Sequence, residues 1–372
     1  MAGLYIHIPF CASRCVYCGF YSTTRLSERQ KYVEMLCREM EMRSHEMSDG
    51  RMRISTIYLG GGTPSQLTAE QLIQLFHAIY NIYNVDNDAE ISMECNPDDV
   101  DDEMAGLLAS LPVNRVSMGA QTFSDERLRF ICRRHSARQV KQAVDRLRRA
   151  GLGNISVDLM YGFPNERLEE WHQDIDAVLA LGVEHLSAYA LTYEEDTPLW
   201  HMLEKGKVAE LDEELQRQMY YDLKDRLEAA GYEHYEISNF AQPGRRSRHN
   251  SSYWNYTPYI GLGAGAHSFD GEHRRWNVSD LTQYMKAIGE GRVPAEGEDL
   301  DDDTRYNEMV MTRLRTREGL DTDSLADKYR EYCLRQATAY TSTGLLHRED
   351  HRLHLTREGL FVSDMVMADL MI

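Results

Sequence analysis

The 372-residue chain has no run of ~18 apolar residues, the length a helix needs to span a bilayer, so no transmembrane segment is expected. Its opening stretch, MAGLYIHIPFC, lacks a basic region followed by a long apolar one, which argues against a secretory signal. Positive charge is scarce. There are 41 Lys and Arg against 60 Asp and Glu, a net charge of −19. A broad nucleic-acid surface needs clustered cations, so nucleic acid is not an expected partner. The basic runs are short: Arg133, Arg134 and His135, or Arg245, Arg246 and Arg248. Cysteine is too sparse and too uneven for a disulfide framework, with seven in all. Three of them, Cys11, Cys15 and Cys18, crowd one short segment, as in a cytoplasmic protein with a single soft-metal site. Cys37 and Cys333 lie in helical patterns and read as buried thiols. Low-complexity segments and short solenoid periods are also missing.

What is present is a rhythm of strand, turn and helix. β-rich runs fall at 3–8, 54–59, 89–94, 115–120, 154–160 and 185–191. Helical patterns lie between them, near 27–46, 68–82, 136–150, 168–181 and 209–230. Strands alternating with helices imply βαβ units and a parallel sheet. Ser27 with Gln30, Thr68 with Gln71 and Ser136 with Gln139 have capping-box spacing. Gly151 and Gly231 sit where helix C-caps belong. Near residue 295, give or take ten, the character changes. The acidic run EGEDLDDDTR reads as a loop, followed by helical patterns at 304–316 and 322–341. A short strand and helix over 352–370 complete a small winged-helix-like unit. The length suits a barrel of ~250 residues with an appendage. The expected units are 1–295 and 296–372.

The strongest chemical signal is CASRCVYC, with C-x3-C-x2-C spacing. A [4Fe–4S] cubane has four irons, and three thiolates leave one of them open to a chelating molecule. The alternative, zinc, normally wants a fourth Cys or His, and His7 is the one nearby candidate. Gly60, Gly61, Gly62 and Thr63 follow a strand, where glycines let backbone donors approach a ligand closely. Glu94, Gln121 and Asp158 end the third, fourth and fifth strands, and Arg133 is expected in the helix after the fourth. In parallel barrels that end of the strands is where sites are built.

These motifs resemble those of the radical S-adenosylmethionine (SAM) superfamily. Within it, the chain resembles the branch that holds oxygen-independent coproporphyrinogen III dehydrogenases and the HemW haem chaperones. The matching stretches are YIHIPFCASRCVYC, GGGTPS, MECNPDD, RVSMGAQTF, RRHS, VDLMYGFP, YEISNFAQPG, RHNSSYW and YIGLGAGAHSF, and they cover nearly the whole chain. The resemblance implies a partial parallel (β/α)6-type barrel with a small C-terminal domain. It implies a [4Fe–4S] cluster on Cys11, Cys15 and Cys18. It also implies SAM contacts at Tyr5, Gly61, Gly62, Thr63, Glu94, Gln121, Arg133 and Asp158. Carboxylates and an amide suit ribose hydroxyls and an ammonium, and an arginine suits a carboxylate.

Two departures separate the chain from the dehydrogenases. Their fourth cysteine is here Phe20, in CGFYS, and only ten residues precede Cys11. HNSSYW, 249–254, matches the HNxxYW pattern of the HemW side. The resemblance therefore implies a protein that binds haem as cargo and delivers it to acceptors such as respiratory cytochromes. It would touch membranes through those acceptors alone. His249 is the expected haem ligand, with His267 in GAHSF a weaker candidate. The competing reading for His249 and Asn250 is a hydrogen-bonded loop, with Tyr253 and Trp254 as core. Were SAM cleaved, an external electron donor would be needed, and the cluster would pass one electron to the sulfonium. The alternative functions are a coproporphyrinogen III dehydrogenase of porphyrin biosynthesis, a nucleic-acid-modifying radical SAM enzyme, and a module in which the cluster is only a staple.

Overall fold

The computed structural model describes residues 2–46 and 52–372. Six parallel strands lie side by side in chain order: β1 (Ala2–Ile8), β2 (Arg53–Gly61), β3 (Asn84–Cys95), β4 (Arg115–Gln121), β5 (Ile155–Tyr161) and β6 (His185–Ala190). The helices between them are α1 (Arg29–Met42), α2 (Ala69–Ile82), α3 (Asp102–Ser110), α4 (Asp125–Phe130), α5 (Ala137–Arg149) and α6 (Leu168–Leu181). After β6 come α7 (Pro198–Glu204), α8 (Glu213–Ala229) and the strands β7 (Glu233–Glu236) and β8 (Asn239–Ala241), which add antiparallel to β6. A short helix, α9 (Arg248–Trp254), precedes β9 (Tyr259–Leu262), which adds parallel to β1. β10 (His267–Phe269), β11 (His273–Asn277) and β12 (Ala295–Asp299) extend that edge antiparallel, with α10 (Leu281–Gly289) packed behind.

The strands have a two-sided composition. Outward residues are apolar and join one core with the helices: Leu4, Ile6 and Ile8 on β1, Ile57 and Leu59 on β2, Val116 and Met118 on β4. Inward residues are polar or aromatic and line a cavity: Tyr5, Tyr58, Glu94, Ser117, Asp158 and Ser187. Successive side chains point to opposite faces of a strand, so this alternation puts oil outside and polar groups inside. The helices are amphipathic in turn. α2 buries Leu72, Leu75, Phe76 and Ile79 against the sheet.

Several end signals hold. Thr68 and Gln71 cap α2 reciprocally, and the Ser136 N–H donates to the Gln139 carboxamide at α5. Gly151 and Gly231, at φ 93° and 88°, close α5 and α8 in the left-handed conformation. Each helix ends on paired backbone bonds, Leu152 N–H to Leu147 O and Tyr232 N–H to Leu227 O among them. Three expectations need correction. Ser27 does not cap α1. A 3-10 turn at Leu26–Glu28 comes first, and Arg29 Nε donates to Leu26 O at 2.9 Å instead. Arg133 is not helical. Ser124 caps the unforeseen α4, which stops at Phe130, and Cys132 turns the chain at φ 61°. The run EGED is not a loop but the exposed edge strand β12. In addition, Cys333 is buried, whereas Cys37 is only half-buried against the core.

The large sheet continues through Asp299, and a separate core starts at Tyr306. That core joins α11 (Asp302–Leu314), α12 (Asp327–Ser342) and α14 (Ser363–Leu370) to a three-stranded antiparallel sheet, and α13 (Arg357–Phe361) precedes α14. Its strands are β13 (Leu320–Asp321), β14 (Leu346–Glu349) and β15 (Arg352–Leu355), in the order β13-β15-β14. Leu360 and Phe361 reach back onto the barrel core. Among the described residues, no helix is long and apolar enough to cross a membrane.

Candidate functional site

The polar faces of the six strands enclose a cavity of about 830 Å³ that opens at their carboxyl ends. Cys11, Cys15 and Cys18 sit on the loop after β1, at its mouth. Tyr5, Gly61, Gly62, Thr63, Glu94, Gln121, Arg133 and Asp158 line the same space. Residues spread over more than 150 positions of sequence are thus brought to one wall.

The mouth is shaped by tight backbone. A Cβ on Gly62 would lie 2.7 Å from the Pro9 carbonyl carbon, so glycine alone lets the loop after β2 nest under the cysteine loop. A Cβ on Gly119 would collide with the Arg133 guanidinium. Gln121 holds φ 67° at a break in the β4–β5 register, a conformation costly for any residue but glycine.

Burial dominates the electrostatics of the wall. Arg133 is enclosed. Its Nη1 donates to Asn96 Oδ1 at 2.9 Å and its Nη2 to Gly119 O at 3.2 Å, but Nε has no partner. Burial works against its charge, yet Tyr17, Cys15, Asp158 and Cys18 hold its pKa above the ordinary value. Burial raises the Cys11 thiol, opposed by a hydrogen bond from Thr63 at 3.5 Å and by Arg133. Burial also raises Cys18. Glu94 accepts from the Tyr58 hydroxyl at 2.7 Å and from Gly61 N–H at 3.2 Å. Burial, with Asp158 nearby, still pushes its pKa up to about 7. Asp158 is pushed up by burial to about 6, against hydrogen bonds from Ser187 and Ser117 and the charges of Arg115 and Arg133.

Among the described residues, no three His, Cys, Asp or Glu side chains gather around one point, as a mononuclear metal site demands. A cubane asks for something else: three thiolates on three separate irons. The three thiols stand in mutual electrostatic range on an open loop beside a buried cation that favours thiolates. The donor set therefore fits a [4Fe–4S] cluster. The unpaired Arg133 Nε and the ionisable pair Glu94 and Asp158 fit a ligand carrying both a carboxylate and an ammonium.

Phe20, where a fourth cysteine was weighed, is 72% exposed at the cavity rim. His249 is not at the cavity. It is 1% exposed in α9, beneath the barrel. Its Nδ1 bonds Thr56 Oγ1 and its Nε2 bonds the Tyr253 hydroxyl, each at 2.9 Å, and its ring stacks on Tyr58. Burial lowers its pKa to about 3, so it is neutral, and neither nitrogen is free for iron as placed. His267 is exposed on β10 and stacks on Trp276. The sequence reading missed Arg115, Tyr58, Tyr189 and Asn250 as cavity residues. The period-two alternation of β2, β4 and β6 was the signal for the first three.

A partial parallel barrel with this cysteine loop at its mouth defines the radical SAM class, and the family model described as the Radical SAM superfamily matches residues 5–178. The model of the HemN C-terminal domain matches 300–362. The chain is 34% identical to the heme chaperone HemW of Bacillus subtilis, over 98% of each chain. It is 33% identical to the heme chaperone HemW of Mycobacterium tuberculosis H37Rv, over 99% of this chain and 94% of that one. The solved structure of coproporphyrinogen III oxidase (HemN) from Escherichia coli shares the fold, with a TM-score of 0.86 at 22% identity, covering 99% of this chain and 89% of that one. The chain belongs to the HemW family of the radical SAM superfamily.

Proposed function

We propose that this protein is a haem chaperone that carries a [4Fe–4S] cluster and SAM and passes haem to acceptor proteins such as respiratory cytochromes. Likeness along the full length to relatives described as haem chaperones carries this reading. Cys11, Cys15 and Cys18 hold the cluster. Thr63, Gly61 and Gly62 cradle the methionyl part of SAM, and Glu94 accepts from its ammonium. Arg133 meets a carboxylate, while Gln121, Asp158 and Tyr5 complete the wall. When bound, cluster and SAM supply one-electron chemistry that the side chains lack. The protein's own part is to orient and to exclude water. The C-terminal unit serves this by bringing Phe361, Ser363 and Asp364 to the cavity wall. We divide the chain between Asp299 and Tyr306, where one sheet ends and the second core begins.

Haem needs an imidazole or thiolate with a free lone pair. His249 would have to leave two hydrogen bonds to supply one. The exposed His267 needs no such rearrangement and is the better placed ligand.

The second reading is coproporphyrinogen III dehydrogenase, favoured by the shared fold with HemN. It is opposed by Phe20 at the fourth cysteine position. The test is anaerobic reconstitution of the cluster, followed by haem titration read at the Soret band. A product assay with coproporphyrinogen III, SAM and reductant runs beside it. Near-stoichiometric haem with no decarboxylated product is expected. Robust decarboxylation would overturn the chaperone reading.

A further inference from the structure

The cavity does not end at the residues that fit SAM. It runs down to the amino ends of the strands, where Arg115 begins β4. In register, Gly119 pairs with Asp158 and Ser117 with Ser156, so Arg115 lies four residues below the level of Asp158. At ~3.3 Å per residue its Cα is about 13 Å deeper, and its long side chain reaches back up the barrel far enough for its charge to act on Asp158.

Arg115 is 3% exposed and lines the cavity. Its Nη1 donates to Asn154 Oδ1 at 3.0 Å, and among the described residues no carboxylate forms an ion pair with it. The buried Arg43 is paired with Glu39 and Glu46 and the part-buried Arg127 with Glu166 and Glu170, whereas Arg133 at the mouth, like Arg115, forms no ion pair among the described residues. Asp158 feels its charge but does not touch it, and a buried cation with no carboxylate in contact is costly. The neighbouring carboxylates are occupied. Both Glu90 oxygens accept backbone N–H groups from Arg248 and His249 at 2.9 Å, and Asp158 is held by Ser187 and Ser117. His185 is tied by Ser156 and the Tyr235 hydroxyl, each at 2.7 Å. Two more polar groups stand idle here. The Ser92 hydroxyl, opposite Arg115 in register, is buried without a partner. Asn250 of α9 lines the cavity, and its carboxamide has no hydrogen bond among the described residues.

We propose that the barrel floor is a second ligand site, in which Arg115 and Asn250 hold the carboxylate of a small molecule below the SAM pocket. Arginine's planar fork matches a carboxylate in two parallel bonds, and a carboxamide adds a donor. The site stands whether or not haem is the cargo. Two sources share this chemistry: a free carboxylic acid, or the propionate arm of a porphyrin.

The test uses the full chain with its cluster restored. Acetate, succinate, haem, haem dimethyl ester and SAM are titrated by calorimetry into the wild type and Arg115→Met. Saturable binding of acetate or succinate identifies a free acid as the source. Haem binding more tightly than its dimethyl ester identifies the propionate arm. In either case Arg115→Met weakens the carboxylate probe by about thirtyfold or more, while SAM affinity moves less than about twofold. Should Arg115→Met fail to fold, Asn250→Leu blocks the same corner and is read the same way. The proposal falls if neither small acid saturates and haem and its ester bind alike. It also falls if the folded variant binds the carboxylate probe as the wild type does.

Discussion

The mouth and the floor of the barrel are built from the same six strands, yet they solve opposite problems. At the mouth, loops with glycine at Gly62 and a left-handed Gln121 gather the unpartnered Arg133 Nε, three thiols and two carboxylates whose pKa stays raised despite their hydrogen bonds. At the floor, a short helix plugs the barrel and ties most of its first turn, while Asn250 keeps a free carboxamide among the described residues. Ser247 caps it, Glu90 takes two of its N–H groups, and His249 is bonded at both nitrogens. The contrast teaches that a motif of chemically able residues is not a site until their valences are left open. HNSSYW reads as ligand chemistry in sequence and folds as a plug. Arg115, the first residue of RVSMGAQTF, forms no ion pair among the described residues.

Substitutions can break or sharpen this contrast. The largest effect is expected at the cysteine loop. Cys15→Ser should abolish the cluster, seen as loss of its visible absorption after anaerobic reconstitution with near-normal far-ultraviolet dichroism. Retention of a full cluster would sink the assignment. Next, Glu94→Gln should weaken SAM by about thirtyfold or more, since a charged partner of the ammonium is lost. The wild type should bind SAM more tightly as pH rises toward about 7, because the carboxylate must ionise to accept the ammonium. Calorimetry against pH should show that rise, and the variant should lose it. At the floor, His249→Ala should cost about 2–4 kcal/mol in denaturant unfolding, from a cavity and two unpaired polar partners. Its haem Soret titration should stay unchanged. Loss of haem with unaltered stability would restore His249 as the ligand.

Ligand-free stability should also respond to pH. The folded pKa values of Glu94 and Asp158, about 7 and about 6, lie above their ordinary values of 4.5 and 3.8. The folded state therefore holds more protons than the unfolded one between those limits, and stability falls as pH rises through them. About 1–2 kcal/mol is expected, less than full burial would give because both groups face cavity water. Denaturant midpoints that rise from pH 5 to about 7 would contradict it. The smallest effect belongs to the exposed pair Arg357 and Asp225, which ties the C-terminal unit to α8. Arg357→Ala should cost under about 1 kcal/mol.

The six strands were legible because each alternates apolar and polar residues between turn signals, and tertiary packing agreed with that pattern. The cavity wall proposed for SAM was legible in part: Gly61, Glu94 and Gln121 stand at strand ends as expected, but Asp158 lies in the middle of β5 rather than at its end, and Tyr5 in the middle of β1. The edge strands β9–β12 were not, since they are short and Gly-rich or acidic and pair by geometry rather than by periodicity. α4 was missed because a six-residue helix carries too little period to detect. The sequence left His249 open between ligand and hydrogen-bonded residue for a different reason. Its partners, Thr56 and Tyr58, lie almost 200 residues away, and no local pattern reports whether a lone pair is spoken for.

The placement of β1 has a consequence for how the chain is made. One edge of β1 pairs with β2 soon after synthesis, but the other pairs with β9, Gly3 against Tyr259. At roughly 5–20 residues per second, the ribosome needs roughly 13–50 s to deliver that second neighbour. Through that interval the nascent protein presents an apolar strand with a bare hydrogen-bonding edge, next to the cysteine loop. β1 therefore stays open on one edge until β9 is made, and its second row of hydrogen bonds forms late in synthesis.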